Sequence, residues 1–497
     1  MELVPVGIFW SIALWALFQK KQVLIYLFFA SMPFGSFAAI PTELTAGLTM
    51  TPTPIVALLL VARELGSARG LTSGLHSALK PSGLLLLLLF WLIAGIATAF
   101  MPRFFAGTVE IVPLRFGTSA DTAPLAPSVQ NLSQFVYISI SVLTVFAFAS
   151  MLRMEGMRRH ALAALCLGAA LTIITGFFDF ASQYLPLQSF LELFRTASYA
   201  LLTDAEVQDA KRVVGLMPEA SSFGSLSLSF LAVLYFFRRA MPVGRLRNRF
   251  VPIMMSLLLL LVWLSTSSAA YLGFGLFSAT VAAEWCWRLI ASGRNPYLRR
   301  GISGEFWLGA LAVWALLLVM IVAPRVLTPV LEMFDVTVLQ KSSSSSFEER
   351  GMWTQVSWDA LLATRGLGVG MGGTRASNFA VALASNAGVL GATFYFLFVL
   401  QCLLIRRAQR GDAAGEALLS AVRWSYLSPF FVSLAIGTTP DFGVFNAFLY
   451  GFTVAVANKE FRLMAKSTSS RTIAAASQRK FSRFSSEETH HHVDRTT

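Results

Sequence analysis

Leu84 to Met101 reads Leu-Leu-Leu-Leu-Leu-Leu-Phe-Trp-Leu-Ile-Ala-Gly-Ile-Ala-Thr-Ala-Phe-Met, with no charge and a single hydroxyl. An α-helix needs about 20 apolar residues to cross a hydrocarbon core, and this run has that character. In lipid the backbone amides find no water, so the run is a helix unless strands close into a barrel, and barrel strands alternate polar with apolar residues. It does not alternate. Leu132 to Leu152, Phe250 to Leu264 and Phe306 to Ala323 repeat the pattern.

The rest of the chain agrees. Of 497 residues, 56% are hydrophobic and 13% charged, about half the charge of an ordinary soluble domain. Spans are expected at 3–18, 23–40, 45–62, 84–101, 132–152, 161–178, 219–237, 250–264, 269–287, 306–323, 376–405, 424–439 and 443–458. The expected fold is therefore all-α and polytopic, a bundle of about 12–13 transmembrane helices. The lower figure applies if the polar break from Pro41 to Pro54 hides a re-entrant piece. The apolar start has no basic n-region and is not read as a cleaved signal peptide.

Charge orients the bundle, because loops rich in Lys and Arg stay in the cytoplasm. With the N-terminus outside, 29 of the 39 Lys+Arg fall inside and 16 of the 26 Asp+Glu fall outside. The formal net charge of +13 thus reports topology, and nucleic-acid binding need not be invoked. The spans form one domain over residues 1–458, and residues 459–497 read as a disordered basic cytoplasmic tail, rich in Ser and Thr. Cys166, Cys286 and Cys402 fall within spans and suit packing, with no metal-site spacing. The His490-His491-His492 run is too short to make a metal site.

Function is expected where outside loops are long: 102–131, 179–218 and the largest, 324–375, between spans 10 and 11. In the second, Phe190, Leu193, Phe194, Ala197 and Leu201 recur at helical spacing, as in a helix along the membrane surface. Eight of the ten outside basic residues are arginine, whose planar fork grips phosphate bidentately. Two stand in suggestive company. Arg212 opens Arg-Val-Val-Gly-Leu-Met-Pro-Glu219-Ala-Ser-Ser, and Arg350 opens Arg-Gly-Met-Trp353-Thr-Gln-Val-Ser-Trp358-Asp359-Ala-Leu-Leu. Then come Gly366-Leu-Gly-Val-Gly-Met-Gly-Gly, Arg375-Ala-Ser-Asn378, nine residues, Gly388, two residues and Gly391.

In this order, and with the Ser265-Thr266-Ser267 turn between two spans, these elements resemble the O-antigen ligase and polymerase superfamily. The likeness covers Arg212 to Gly391 in motif and the whole chain in topology. It implies a metal-independent glycosyltransferase of the bacterial inner membrane, without cofactor, acting at the periplasmic face. Its sugar donor would be carried on undecaprenyl diphosphate. The resemblance places Arg212 and Arg350 on the diphosphate. A leaving diphosphate gains charge in the transition state, so fixed guanidinium groups favour it over the ground state.

One departure decides between the two activities. Ligases of the superfamily carry a His just before the Asn of the last motif, and here that residue is Ser377. All five histidines, His76, His160 and His490 to His492, fall on the expected inner side. The expectation is a polymerase of lipid-linked repeat units making exopolysaccharide, capsule or O-antigen. A ligase moving polymer onto lipid A core and a polysaccharide flippase or exporter are the alternatives. Chain-length regulators and export proteins are the implied partners. With no histidine outside, a carboxylate is expected as base. Glu219 is the first candidate and Asp359 the second; Asp441, in Thr-Thr-Pro-Asp-Phe-Gly, also suits a turn. Arg375 borders span 11 and is expected on a phosphate or at the interface. Asn378, Trp353 and Trp358 are expected to contact substrate, the tryptophans by stacking on sugars or anchoring the loop.

Overall fold

A computed structural model describes residues 3–41, 45, 49–114, 122–199, 201–203, 206–207, 210–291, 293, 295–323 and 345–457. The expected tail, His490 to His492 and the 324–344 part of the longest outside loop lie outside the described residues.

The chain is a helical bundle. Its helices are α1 (Leu3–Phe18), α2 (Lys21–Ser31), α3 (Pro52–Leu65), α4 (Ala68–Leu79), α5 (Leu85–Phe104), α6 (Val129–Met151), α7 (Glu155–Ala181), α8 (Gln188–Glu192), α9 (Ala220–Phe237), α10 (Val251–Leu264), α11 (Ser268–Ala291), α12 (Ile302–Val322), α13 (Ser345–Ala363), α14 (Phe379–Leu400), α15 (Ala413–Ile436) and α16 (Gly443–Ala457). Two short antiparallel ribbons join them: β1 (Glu110–Ile111) with β2 (Ala123–Pro124), and β3 (Glu206–Val207) with β4 (Ala210–Lys211). Eight described helices are long and apolar enough to cross a membrane, and three shorter apolar ones accompany them. The protein is multi-pass.

Where helices begin and end differs from the expected spans for local reasons. α2 stops at Ser31, and Pro33 follows Met32 just beyond it, where a proline lacks the N–H needed to continue the helix ladder. α3 starts at Pro52, whose missing N–H costs nothing at a helix start. The helix expected through Phe190 to Leu201 is only the five residues of α8. By contrast, α13 lies within what reads as a loop. α15 reaches back to Ala413, so Arg423 sits in a helix and not in a connection.

The core is aromatic. α16 packs along α6, α2 along α7, and α14 along α5. At the centre Phe28, Phe29, Phe148 and Phe448 meet edge to face at 4.9–5.2 Å, the geometry the ring quadrupole favours. α12 is the exception: no residue of its apolar window is buried, and it leans on α11.

The two ends of the bundle differ. The lower end gathers α1–α2, α4, the starts of α5 and α7, and the starts of α12 and α15. Lys21 pairs there with Glu64 at 2.6 Å, and Arg153 holds Ser73 and Ser77 of α4 at 3.2 and 2.6 Å. The upper end carries the described residues between 179 and 219, the β1–β2 ribbon and α13. Val109, Ile111, Leu125, Ala360 and Val369 form a small second core there, fixing α13 over the bundle.

Candidate functional site

α13 buries one face. Trp353, Ser357, Ala360, Leu361 and Thr364 turn inward at helical spacing. Ser357 Oγ meets Thr374 Oγ1 at 2.9 Å and donates to the Arg375 carbonyl at 2.8 Å. α13 ends with Arg365 at φ 52° and Gly366 at φ 80°, and the Gly366 N–H closes onto Leu361 O at 2.9 Å.

The glycine-rich stretch after α13 is built for close backbone contact. α14 is broken at Gly388 (φ 76°, ψ 165°), and the break frees backbone groups that the stretch takes up. Val369 N–H donates to Ser385 O at 2.8 Å, Gly370 N–H to Asn386 O at 3.0 Å, and Val389 N–H to Gly366 O at 2.8 Å. A Cβ on Gly368, itself at φ 82°, would meet Gly388 N at 2.6 Å, so only glycine fits. Fully buried Asn386 closes the knot. Its Oδ1 accepts from Gly373 N–H at 3.0 Å and its Nδ2 donates to Thr374 O at 3.0 Å. Sequence reading missed Asn386; an amide inside an apolar span beside a glycine was the available signal.

The Arg212 segment is fixed by a buried ion pair that sequence reading also missed. Asp179 and Arg195, with side chains 0% and 1% exposed, bond at 2.8 Å. The second Asp179 oxygen accepts from the Val214 and Gly215 N–H groups at 2.7 and 3.0 Å, and Arg195 donates to Gly215 O at 3.2 Å. This sets residues 212–215 against the end of α10: Val213 N–H donates to Leu264 O at 3.2 Å and Arg212 Nε to Ser265 O at 3.4 Å.

Four separated segments meet at a cavity of ≈ 210 Å³ lined by Arg212, Glu219, Ser221, Ser267, Ser268 and Arg350, among others. Helices α9 and α11 both start on its wall, so two positive helix ends face it. Glu219 is the N-cap residue of α9; its carboxylate accepts from the Ser221 hydroxyl and, at 3.4 Å, from Ser222. Burial pushes the Arg212 guanidinium pKa down, with the charge of Glu219 opposing it. Arg375 is shifted down likewise by burial, opposed by Glu349 and Glu219 and reinforced by Arg350. Those three charges therefore lie within electrostatic reach of Arg375. Among the described residues, the guanidinium of Arg350 has no hydrogen-bond partner, and that of Arg375 rests 3.7 Å over the Trp353 ring without an ion pair.

The structure thus brings Arg212, Glu219 and Arg350 to one cavity, with Arg375 and Trp353 beside it. It separates the others. Asp359 and Trp358 are exposed on the opposite side of α13, where Asp359 accepts from Gln355 at 3.0 Å. Asn378 caps α14, its Oδ1 accepting from Ala380 and Val381 N–H at 3.0 and 3.1 Å. Asp441 serves the turn before α16, accepting from Gly443 N–H at 3.0 Å, and burial pushes its carboxyl pKa up. Of the cysteines, Cys166 and Cys402 are buried and Cys286 is exposed along the α11–α12 groove. The arrangement gathers guanidinium donors, two helix starts and one carboxylate at one cavity, a setting that favours an anion.

Compared with known proteins, the chain matches no family model and no curated sequence.

Proposed function

We propose that this protein is a polymerase of lipid-linked oligosaccharide repeat units, with its active site at the upper end of the bundle. The supporting observation is that Arg212, Glu219 and Arg350, far apart in sequence, line one cavity into which two helix N-termini point. Arg212 and Arg350 hold the diphosphate of a polyprenyl carrier. A sugar hydroxyl of the incoming unit attacks the anomeric carbon of the growing chain, and the bond from that carbon to the diphosphate oxygen breaks. Glu219 takes the hydroxyl proton, and the carrier diphosphate leaves with its charge on the two arginines. Arg375 and Trp353 border the sugar side.

The topology follows the same reading. On this reading thirteen crossings, as the sequence suggests, leave the upper end outside and the Lys/Arg-rich lower end in the cytoplasm of an inner membrane, with residues 324–375 outside. His76 and His160 then lie at the lower end, where His160 Nδ1 meets Tyr26 OH at 3.2 Å on the α2–α7 contact. No described histidine is at the cavity, which favours transfer between repeat units with a carboxylate base over ligase chemistry with a histidine base.

The test is polymer length in cells carrying Arg212→Ala or Arg350→Ala. Single repeat units on the carrier are expected to accumulate, with turnover lower by about 100- to 1000-fold per lost donor. Wild-type chain length in both variants would remove the diphosphate assignment. Accumulation of full-length polymer on the carrier would indicate ligase activity instead.

A further inference from the structure

At the lower end of the bundle, a second cavity of ≈ 420 Å³ lies between the connection after α14 and the first turns of α15. Arg407, Arg410, Gly411, Glu416, Leu419 and Arg423 form most of its wall. Nothing in the polymerase reading uses it.

The arginines in this region fall into two kinds. Arg406 is buried and both of its terminal nitrogens are bonded: it donates to Ser82 O at 2.9 Å, to Gly83 O, and to Gln401 Oε1 at 2.7 Å, with only its Nε left without a partner. That is a residue tying α14 to the start of α5. Arg407 and Arg410 are exposed at the rim and, among the described residues, have no hydrogen-bond or ion-pair partner for their guanidinium groups. Arg423 forms the floor. It is half-buried in the third turn of α15, where it donates once, to the Arg406 carbonyl, and its Nε has no partner. The Arg407 charge lies close enough to repel that of Arg423, and this repulsion exceeds the attraction of Glu416.

The single carboxylate on the wall does not balance this charge. Glu416 accepts from Asn295 Nδ2 at 3.1 Å, an amide that also bonds Ala413 O at 3.0 Å, so it is held toward the α11–α12 connection. Three guanidinium groups against one engaged carboxylate leave the cavity cationic. A guanidinium set into a helical bundle with more like charge than counter-charge around it is costly, and a ligand that supplies the missing negative charge removes that cost. Solvated loop arginines need no such explanation, but Arg423 is neither on a loop nor fully solvated.

We propose that this cavity binds a phosphate-bearing anion, with Arg407 and Arg410 closing over it from the rim and Arg423 gripping it from the floor. Guanidinium forks match phosphate oxygens bidentately, and the volume lies in the range of small-molecule sites. The phosphate comes from an anionic phospholipid headgroup or from a soluble phosphate compound.

The experiment is thermal unfolding of the full purified chain, wild type against the Arg407→Gln/Arg410→Gln double variant. Both replaced side chains are exposed, so the variant keeps its fold. One arm compares detergent micelles doped with phosphatidylglycerol against phosphatidylcholine; the other compares inorganic phosphate against chloride at equal ionic strength. The midpoint of the wild type should rise with phosphatidylglycerol or with phosphate and not with the controls, and the variant should need about tenfold more anion for the same rise. A rise only with phosphatidylglycerol assigns the phosphate to lipid, and a rise with inorganic phosphate assigns it to a soluble ligand. No rise in either arm, or an equal rise in the double variant, overturns the proposal. The second outcome would mean the anion acts elsewhere, such as at the upper cavity.

Discussion

Two groups of arginine and glutamate stand at opposite ends of this bundle and are built on opposite terms. At the lower end Arg239 and Arg288 meet Glu284 and Glu305: Arg239 bonds Glu284 at 2.6 Å and Glu305 at 3.2 Å, while Arg288 bonds Glu284 at 2.9 Å and also Glu305. The spare donors of Arg288 go to the Leu298 and Arg300 carbonyls at 3.2 Å each. Charges cancel, and of the two guanidinium groups only Arg239 Nε is left without a partner. At the upper end Arg212 and Arg350 line a cavity with Glu219, Arg375 stands beside it, and among the described residues no ion pair joins them. The closed group contributes to folding; the open group has unmet capacity, which is what a ligand site requires. Buried charges with their partners in the protein are structural, and those without are candidates for chemistry.

The comparison is most sharply tested by breaking the closed group. Glu284→Ala leaves Arg239 and Arg288 buried with half their counter-charge, and a loss of about 3–5 kcal/mol is expected, measured by thermal unfolding in detergent. Replacing Arg239, Glu284 and Arg288 together with Met, Leu and Met should recover much of that loss. A Glu284→Ala protein as stable as wild type would show that the lower group is as open as the upper one.

The next effect should come from Asp179, which belongs to the upper end but is closed. Asp179→Asn keeps the shape and removes the charge that Arg195 meets at 2.8 Å. Loss of that charge-assisted bond should cost about 1.5–3 kcal/mol and also loosen the Arg212 segment. Stability and transfer should fall together. A variant with intact stability and lost transfer would move Asp179 from positioning to the chemistry itself. Smaller again is Asn378→Ala, which removes the cap of α14 and should cost about 1 kcal/mol; if substrate contact were its role, transfer would fall with stability unchanged.

How much of this was legible in the residues varies by region. The apolar runs gave helices close to where they stand, since lipid leaves an apolar backbone no other choice. The places that failed are those where polar backbone is satisfied by tertiary contact. Gly388 breaks α14, and the partners that make the break tolerable, Gly366, Gly370 and Asn386, are brought in by the fold. For the site, arginine chemistry singled out Arg212, Arg350 and Arg375 as anion-binding candidates, and the fold brings all three to the same end of the bundle, where loops between spans can reach one another. The face of α13 was not read, although the spacing Trp353, Ser357, Ala360, Thr364 was present; it would have set Trp358 and Asp359 on the outer side. Asp179 and Arg195 needed a contact from the end of α7 past the short α8, which no periodicity announces.

The smallest stability effect is expected where the largest loss of activity is proposed. Arg350 is half-buried, its guanidinium has no hydrogen-bond partner among the described residues, and Arg375 lies within repulsive reach. Arg350→Gln removes a like charge and breaks no described bond, so the unfolding midpoint should stay level or rise slightly, within about 0.5 kcal/mol. Wild-type stability with transfer abolished is the signature of a charge kept for a ligand. A drop of about 2 kcal/mol or more would instead place Arg350 with the closed group at the other end, and the contrast between the two ends would no longer separate structure from function.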